Sequence, residues 1–209
     1  MVINSFIYTF GCSLISTFVP FLVAYLTARY EYRFSALINS LVIIVMMIPI
    51  VGNLPAQIAL IKSMGMYDNN FSMIAVFIMQ FHFLGMYYLV FYGMFKNIPD
   101  AYAEAAKIDG ASNVKIMFNV MMPLGASTFL SVWLLRIIFY WNDYNTPYVF
   151  LQSQPTLSLM IMSFMQETNV FTIQVQMAGA MIFCLPILVL FLIFRKKLMG
   201  NVSIGGIKE

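Results

Sequence analysis

Long apolar stretches separated by short charged segments are the main pattern along this chain. Four stretches hold no charged residue: the start of the chain up to Arg29, and the segments between Arg33 and Lys62, between Asp68 and Lys96, and between Glu167 and Arg195. Each exceeds the roughly 18 apolar residues that can cross a bilayer as a helix. The runs also lack the period-two alternation of barrel strands. The pattern therefore predicts an all-α, polytopic helical membrane protein.

These apolar stretches predict about five spans. They cover about residues 3–28, 36–60, 71–95 and 126–150, with a final span between Glu167 and Arg195. The fourth span contains two charged residues, Arg136 and Asp143. The second carries Pro49, Gly52 and Pro55 toward its outer end. Because proline interrupts helical hydrogen bonding, we expect that end to be bent or unwound.

Composition and charge agree with a membrane protein. The chain of 209 residues is 62% hydrophobic and 9% charged, whereas soluble domains carry about 25% charged residues. A net charge of +3 is too small to indicate nucleic-acid binding. Most cationic residues follow spans one, three and five: Arg29, Arg33, Lys96, Lys107, Lys115, Arg195, Lys196, Lys197 and Lys208. Since cytoplasmic loops are rich in Lys and Arg, we expect the N-terminus outside and the C-terminus in the cytoplasm.

We expect a single transmembrane domain over residues 1–209, with a cytoplasmic loop at about residues 96–124. This loop is the longest charged and Ala-rich stretch of the chain. Its first half predicts a short helix over residues 101–108, begun by Pro99 and Asp100. Gly110 is suited to end that helix, because glycine readily adopts left-handed backbone conformations.

The second half of the loop predicts another short helix. Ser112 can cap its first turn, and Pro123 marks the approach to span four. Helical periodicity then places four apolar residues on one face: Val114, Met117, Phe118 and Met121. The loop as a whole therefore predicts an amphipathic pair of helices on the inner surface of the membrane.

The sequence of this loop resembles a known motif. The segment DAYAEAAKIDGASNVKIMFNVMMPL contains, in order, Glu104, Ala105, Ala106, Asp109, Gly110, Ala111 and Pro123. These residues and their spacing closely resemble the EAA loop of the membrane subunits of ABC importers. A lone EAA triplet would mean little in a helical sequence. Here the triplet, the Asp-Gly pair and the proline coincide in a loop between two spans.

The resemblance implies that the loop couples the chain to an ATP-hydrolysing subunit. The residue types suit that role, since Ala105, Ala106 and Ala111 permit close approach and Gly110 permits a tight turn. Glu104 offers a carboxylate to a basic group at the rim of the partner. On composition alone an ordinary surface hairpin would be the favoured explanation of the loop, and the full motif decides for coupling.

The same resemblance implies the other components of the system. These are a second homologous permease subunit, a dimer of ABC ATPases, an extracellular solute-binding protein and the lipid bilayer. The chain contains no GxxxxGK[ST] loop, so we expect it to bind no cofactor, while ATP is bound by the ATPases. The predicted function is transport across the plasma membrane by alternating access, and the chain is predicted not to be an enzyme.

Two further segments resemble the carbohydrate-import branch of these permeases, of which the maltose permease subunits are an example. They are WNDYNTPYVFL at residues 141–151 and CLPILVLFLIFRKKLMGNVSIGGIKE at residues 184–209, which includes Pro186, Gly205, Gly206 and Lys208. Asn4 and Ser5 also fit that pattern. The predicted substrate is therefore a mono- or oligosaccharide. Members of this branch usually have six spans, so the first span is expected to be the one missing here.

Several polar residues in span four allow two interpretations. A charge within a span usually has a partner, and Asp143, two helical turns after Arg136, is one candidate. A contact with the partner permease and a place in the sugar path remain equally open for Arg136. The cluster of Trp141, Asn142, Tyr144 and Asn145 could bind a sugar, although an interfacial aromatic belt explains it more simply.

Other classes of function are weighed against this reading. An alternative is a permease for another small solute, and a less favoured one is an ion-coupled secondary transporter, which should show ionisable residues near the membrane midplane. Cys12 and Cys184 lie in apolar spans and are interpreted as packing residues. His82 has no Cys, His or carboxylate cluster near it in the sequence, so no metal site is predicted.

Overall fold

The computed structural model describes residues 1–30, 32, 34–48, 52–166 and 172–202, the side chains of residues 195–202 excepted. The expectations for Arg33, Pro49, Glu167, Gly205, Gly206 and Lys208 lie outside the described residues. In the described part of the chain every regular element is helical, as predicted. The elements are α1 (Val2–Arg29), α2 (Ser35–Met47), α3 (Leu54–Ser63), α4 (Ser72–Met79), α5 (Met86–Asn97), α6 (Ala101–Ile108), α7 (Asn113–Ile116), a π-helical turn (Met117–Met121), α8 (Met122–Leu124), α9 (Ala126–Asn142), α10 (Asn145–Phe150), α11 (Leu157–Gln166) and α12 (Ile173–Val202).

Two described helices are long and apolar enough by themselves to cross a membrane. They are α1 and the part of α12 from Ile173 to Phe194. A third crossing results if α9 is counted together with the segment Asn113–Leu124, from which it is bent by 69°. The helices α2 and α11 are apolar but shorter. Span one of the sequence analysis is thus one continuous helix, and Pro20 lies inside it.

The predicted spans two, three and four are each divided into two helices. In span two, α2 ends at Met47 and α3 begins at Leu54, which agrees with the expected interruption of its outer end. The continuity expected for span three is wrong, because α4 ends at Met79 and α5 begins only at Met86. Gly85, just before α5, has φ of 147°, a value that other residues rarely adopt.

The break in span four has a local polar cause. The helix α9 ends at Asn142, and the Asp143 carboxylate then accepts hydrogen bonds from the backbone N–H groups of Asn145 (3.0 Å) and Thr146 (3.2 Å). A side chain that accepts from the amides two and three residues further on offers the backbone an alternative to the helix. The short helix α10 therefore starts anew at Asn145.

The described residues form two compact units, each with its own core. The first comprises residues 1–15, 50–81 and 134–209. Its core packs the first half of α1 with α3, α4, the end of α9 and α10, through the buried residues Tyr8, Cys12, Ile61, Met73, Ala75, Val76, Tyr140, Phe150 and Leu151. The packing is close at Gly11, where an added β-carbon would lie 2.4 Å from Phe77 Cζ.

The second unit comprises residues 16–49 and 82–133. Its core is aromatic, with the Phe21 ring 5.0 Å from the rings of Phe91 and Phe95 and 5.1 Å from that of Phe129. Buried hydroxyls are satisfied, since Tyr88 donates to Asn39 Oδ1 at 2.6 Å and is bonded to Thr27 at 2.7 Å. This unit carries the complete loop of residues 96–124.

Candidate functional site

The first helix of the loop forms as the sequence predicts. The helix α6 spans Ala101–Ile108, and the chain turns at Gly110, whose φ of 77° lies in the left-handed region. The turn is closed by a bond from the Ala111 N–H to the Ala106 carbonyl at 2.9 Å and one from the Gly110 N–H to the Lys107 carbonyl at 3.0 Å. This is the glycine-ended helix expected from the Asp-Gly pair.

The outer surface of this turn is both charged and apolar. Glu104, Ala105 and Asp109 are exposed, while Ala106 and Ala111 are half-buried. The side chain of Ile108, at the end of α6, is 87% exposed. Its neighbours Lys107 and Asp109 are charged and also exposed. The EAA residues are thus together on one accessible hairpin.

The apolar face expected for the second helix is wrong in part. Ser112 caps α7 as predicted, accepting from the Lys115 N–H at 3.4 Å. Of the four residues expected on one face, Met121 is fully buried and Met117 is partly buried, whereas Val114 and Phe118 are 63% and 50% exposed.

A π-helical turn explains this difference in register. The Met122 N–H bonds to the Met117 carbonyl, five residues back, instead of to the residue four back. The wider turn brings Ile116 and Met121 to the core side together. Pro123 follows at once and has no N–H to offer the carbonyl of Asn119, so regular α-helical bonding is already lost there.

Arg29 makes contacts with the start of this loop that sequence reasoning missed. Asp100 was expected to cap α6, but its side chain makes no cap bond and instead pairs with the guanidinium of Arg29. The second terminal nitrogen of Arg29 donates to the carbonyl oxygen of Ile98. The sequence offered only a cation after span one, and nothing in it indicated an acceptor some 70 positions later.

A polar cluster lies in the first unit around Arg136 and Asp143. Both residues contact polar side chains that their spacing in the sequence did not suggest. Arg136 donates to the Tyr140 hydroxyl at 2.6 Å, and that hydroxyl donates to Gln80 Oε1 at 2.6 Å. The Tyr8 hydroxyl donates to Asp143 Oδ2 at 2.6 Å.

Aromatic rings surround the same cluster. The Arg136 guanidinium carbon lies 4.8 Å from the ring centre of Tyr140 and 5.3 Å from that of Phe139. The Tyr8 and Tyr140 rings meet edge to face at 5.8 Å. Contacts of this kind stabilise a cation that has left water. Tyr8 and Gln80 were not among the residues singled out in the sequence.

The neighbouring polar aromatic cluster is largely engaged in packing. Trp141 is buried, its Nε1 donates to the Phe183 carbonyl at 3.1 Å, and its ring stacks on that of Phe183 at 5.6 Å. Asn142 donates to the Ile138 carbonyl at 2.8 Å. Tyr144 and Asn145 are exposed. The donor of the indole is therefore used inside the protein.

The helical fold and the EAA hairpin together define a class of transport protein. Residues 6–202 match the family described as binding-protein-dependent transport system inner membrane component, and the chain belongs to that family. It is a permease subunit of an ABC importer, which is a membrane transport subunit and not an enzyme.

Similar proteins in several organisms agree with this class. The chain is 31% identical over 209 residues to the melibiose/raffinose/stachyose import permease protein MelC of Bacillus subtilis (strain 168), covering 99% of this chain and 75% of that protein. It is 28% identical to the probable starch degradation products transport system permease protein AmyC of Thermoanaerobacterium thermosulfurigenes, covering 99% and 74%.

A solved structure shows the same fold. It is the crystal structure of a bacterial ABC transporter involved in the import of the acidic polysaccharide alginate. One of its chains aligns with a TM-score of 0.72 and 23% identity, covering 92% of this chain and 72% of that one. At this level of identity the likeness establishes the permease fold of the chain.

Proposed function

We propose that this permease imports a sugar and that the hairpin of residues 96–124 couples it to an ATPase dimer. The observation that carries the coupling role is the exposed turn formed by Glu104, Ile108 and Gly110, in which the EAA residues form one accessible surface. The remaining components are a second permease subunit, an extracellular solute-binding protein and ATP bound by the ATPases. ATP binding closes the ATPase pair, and the hairpin carries that movement to the spans.

The proposed substrate class rests on the relatives. MelC is described as importing melibiose, raffinose and stachyose, and AmyC as transporting starch degradation products. A third relative, 23% identical over 206 residues and covering 98% of this chain and 72% of that protein, is the arabinooligosaccharides transport system permease protein AraQ of Bacillus subtilis (strain 168). Oligosaccharides are thus the class to test first.

For the cluster of Arg136, Tyr140 and Asp143 we propose a structural role instead of sugar binding. The polar groups in it bond to one another, to Tyr8 and to Gln80. A sugar would have to displace these bonds before it could bind. Asn142 and Asn145, at the end of α9 and the start of α10, are exposed and remain candidates for the translocation path, whereas Trp141 is buried and is assigned to packing.

Gly110→Val and Glu104→Lys test the coupling role. The first places a β-branched residue at a left-handed backbone position, at a cost of about 1 to 2 kcal/mol. The second places a cation at the rim where a basic partner group is proposed. We expect both variants to insert normally, while sugar uptake and ATP hydrolysis stimulated by the binding protein fall sharply. The measurement is uptake of radiolabelled raffinose, melibiose and maltooligosaccharides by membrane vesicles that contain the whole importer.

A matched pair of glycines provides the control. At both Gly110 and Gly93 an added β-carbon would meet no atom within 4 Å, but only Gly110 has a positive φ. Gly93→Ala should therefore leave transport unchanged, whereas Gly110→Ala should reduce it. Normal uptake by Gly110→Val and Glu104→Lys at normal expression would rule out the coupling role. If the wild-type importer takes up none of the sugars in this panel, the proposed oligosaccharide substrate is ruled out, and the coupling role is not affected.

A further inference from the structure

The helix α6 is held only weakly by packing. None of its residues is fully buried, and only Ala103 and Ala106 pack, partly buried, against the core of the second unit. A cavity of about 310 Å³ lies between α6 and the last turns of α1 and is lined by residues of both, including Tyr25, Ala28, Glu104 and Lys107. Apolar contact alone would therefore transmit little force between the two helices.

Arg29 bridges the two helices at the edge of this cavity. It stands in the last turn of α1, and its guanidinium binds the Ile98 carbonyl and the Asp100 carboxylate just before α6 begins. Its own side chain is only 9% exposed, whereas that of Asp100 is 80% exposed. The bridge thus joins a largely buried side chain of α1 to an exposed side chain of the hairpin.

The chemistry of this bridge favours arginine over lysine. A guanidinium presents several donors in a planar fork and can hold a carbonyl and a carboxylate at once in fixed directions. A lysine ammonium keeps the charge but acts as a point donor on a flexible stem. The largely buried cation also resists separation, because withdrawing Asp100 and Ile98 would leave it without these acceptors.

We propose that Arg29 is a positioning residue that transmits movement of the coupling hairpin to span one. The inference rests on the proposed coupling function of that hairpin. When the ATPase displaces α6, the bond to Asp100 and the Ile98 carbonyl moves the cytoplasmic end of α1 with it. Span one therefore responds directly to the ATPase as well as through the helices that are continuous with the hairpin.

The test compares Arg29→Met and Arg29→Lys with Lys62→Met, which removes an exposed cation outside the hairpin and its cavity. The reconstituted importer would be assayed for sugar transported per ATP hydrolysed, using the sugar with the highest uptake in the panel above. We expect a fall of at least about fivefold in this ratio for Arg29→Met, within the usual range of coupling between sites. Arg29→Lys should be intermediate, and Lys62→Met should match the wild type.

The ratio distinguishes transmission from a loss of folding, which would lower transport and ATP hydrolysis together. If Arg29→Met fails to assemble, Asp100→Ala decides, because Asp100 is exposed and the Ile98 bond remains. A loss of about twofold in the ratio for that variant would support the inference. If Arg29→Met assembles and its ratio is normal, the inference is overturned. If Arg29→Met does not assemble, a normal ratio for Asp100→Ala overturns it. If Gly110→Val also transports normally, the coupling function itself has failed; if Gly110→Val is uncoupled, only the role of Arg29 has failed.

Discussion

Arg136 shows how a single charged residue is accommodated in an apolar helix. Its guanidinium lies against the rings of Phe139 and Tyr140 and donates to the Tyr140 hydroxyl. That hydroxyl belongs to a residue only 2% exposed and passes the hydrogen bond on to Gln80. Removing the Arg136 guanidinium would leave the buried Tyr140 hydroxyl oxygen with one hydrogen-bond partner fewer. Such a loss usually lowers stability by about 1 to 3 kcal/mol.

We therefore expect Arg136→Met to lower the thermal midpoint of the purified complex and to reduce its yield. Leu135→Met is the matched control, because Leu135 is 51% exposed on the same helix and should tolerate the change. The midpoint can be followed by fluorescence in detergent. An unchanged or raised midpoint for Arg136→Met would show that the cluster does not stabilise the fold and would reopen a role in the sugar path.

At the scale of elements, the π-helical turn before Pro123 decides which side chains of the loop reach the core. Regular helical spacing predicts similar burial for Met121 and Phe118, but the structure buries only the first. Met121→Ala should cost about 2 to 5 kcal/mol of stability, because it empties a packed site. Phe118→Ala should change stability by no more than about 0.5 kcal/mol, as exposed substitutions generally do.

Thermal denaturation of the two variants, side by side, measures this difference. Equal destabilisation would indicate a regular α-helix with a single apolar face. The expected inequality would confirm that the turn rotates the end of the hairpin relative to its start. Met117→Ala, at a partly buried position, should fall between the two.

The helices that the sequence predicted best are those with strong local signals. Pro99 and Gly110 bounded α6 correctly, because helix start and stop preferences are local, although the Asp100 side chain makes no cap bond. The interruption at Gln80 to Gly85 was missed, because hydropathy reports apolar length and is insensitive to backbone breaks inside an apolar run. The bridge from Arg29 to Asp100 was missed because it joins positions 71 residues apart, and helical spacing carries no information at that distance.

At the scale of the whole molecule, much of the apolar surface belongs to the final helix. The part of α12 from Ile173 to Phe194 is long enough to cross a membrane, and none of its residues is buried. Met181, Leu188 and Ile193 are examples of its exposed side chains. In water such a surface would favour aggregation, whereas in a bilayer lipid tails cover it at no cost. The cationic residues then decide which way the chain crosses, since they are costly to translocate.

Reaction of introduced cysteines from each side of the membrane tests the resulting topology. Ser63 and Lys107 are both exposed, but the charge distribution assigns Ser63 to the outside and Lys107 to the cytoplasm. In a Cys184→Ser background, which retains only the fully buried Cys12, an impermeant maleimide should label Ser63→Cys in intact cells and leave Lys107→Cys unlabelled. Inverted vesicles from cells lacking the ATPase should give the opposite result. Labelling of Lys107→Cys in intact cells would reverse the topology, and a hairpin outside the cell could not contact an ATPase.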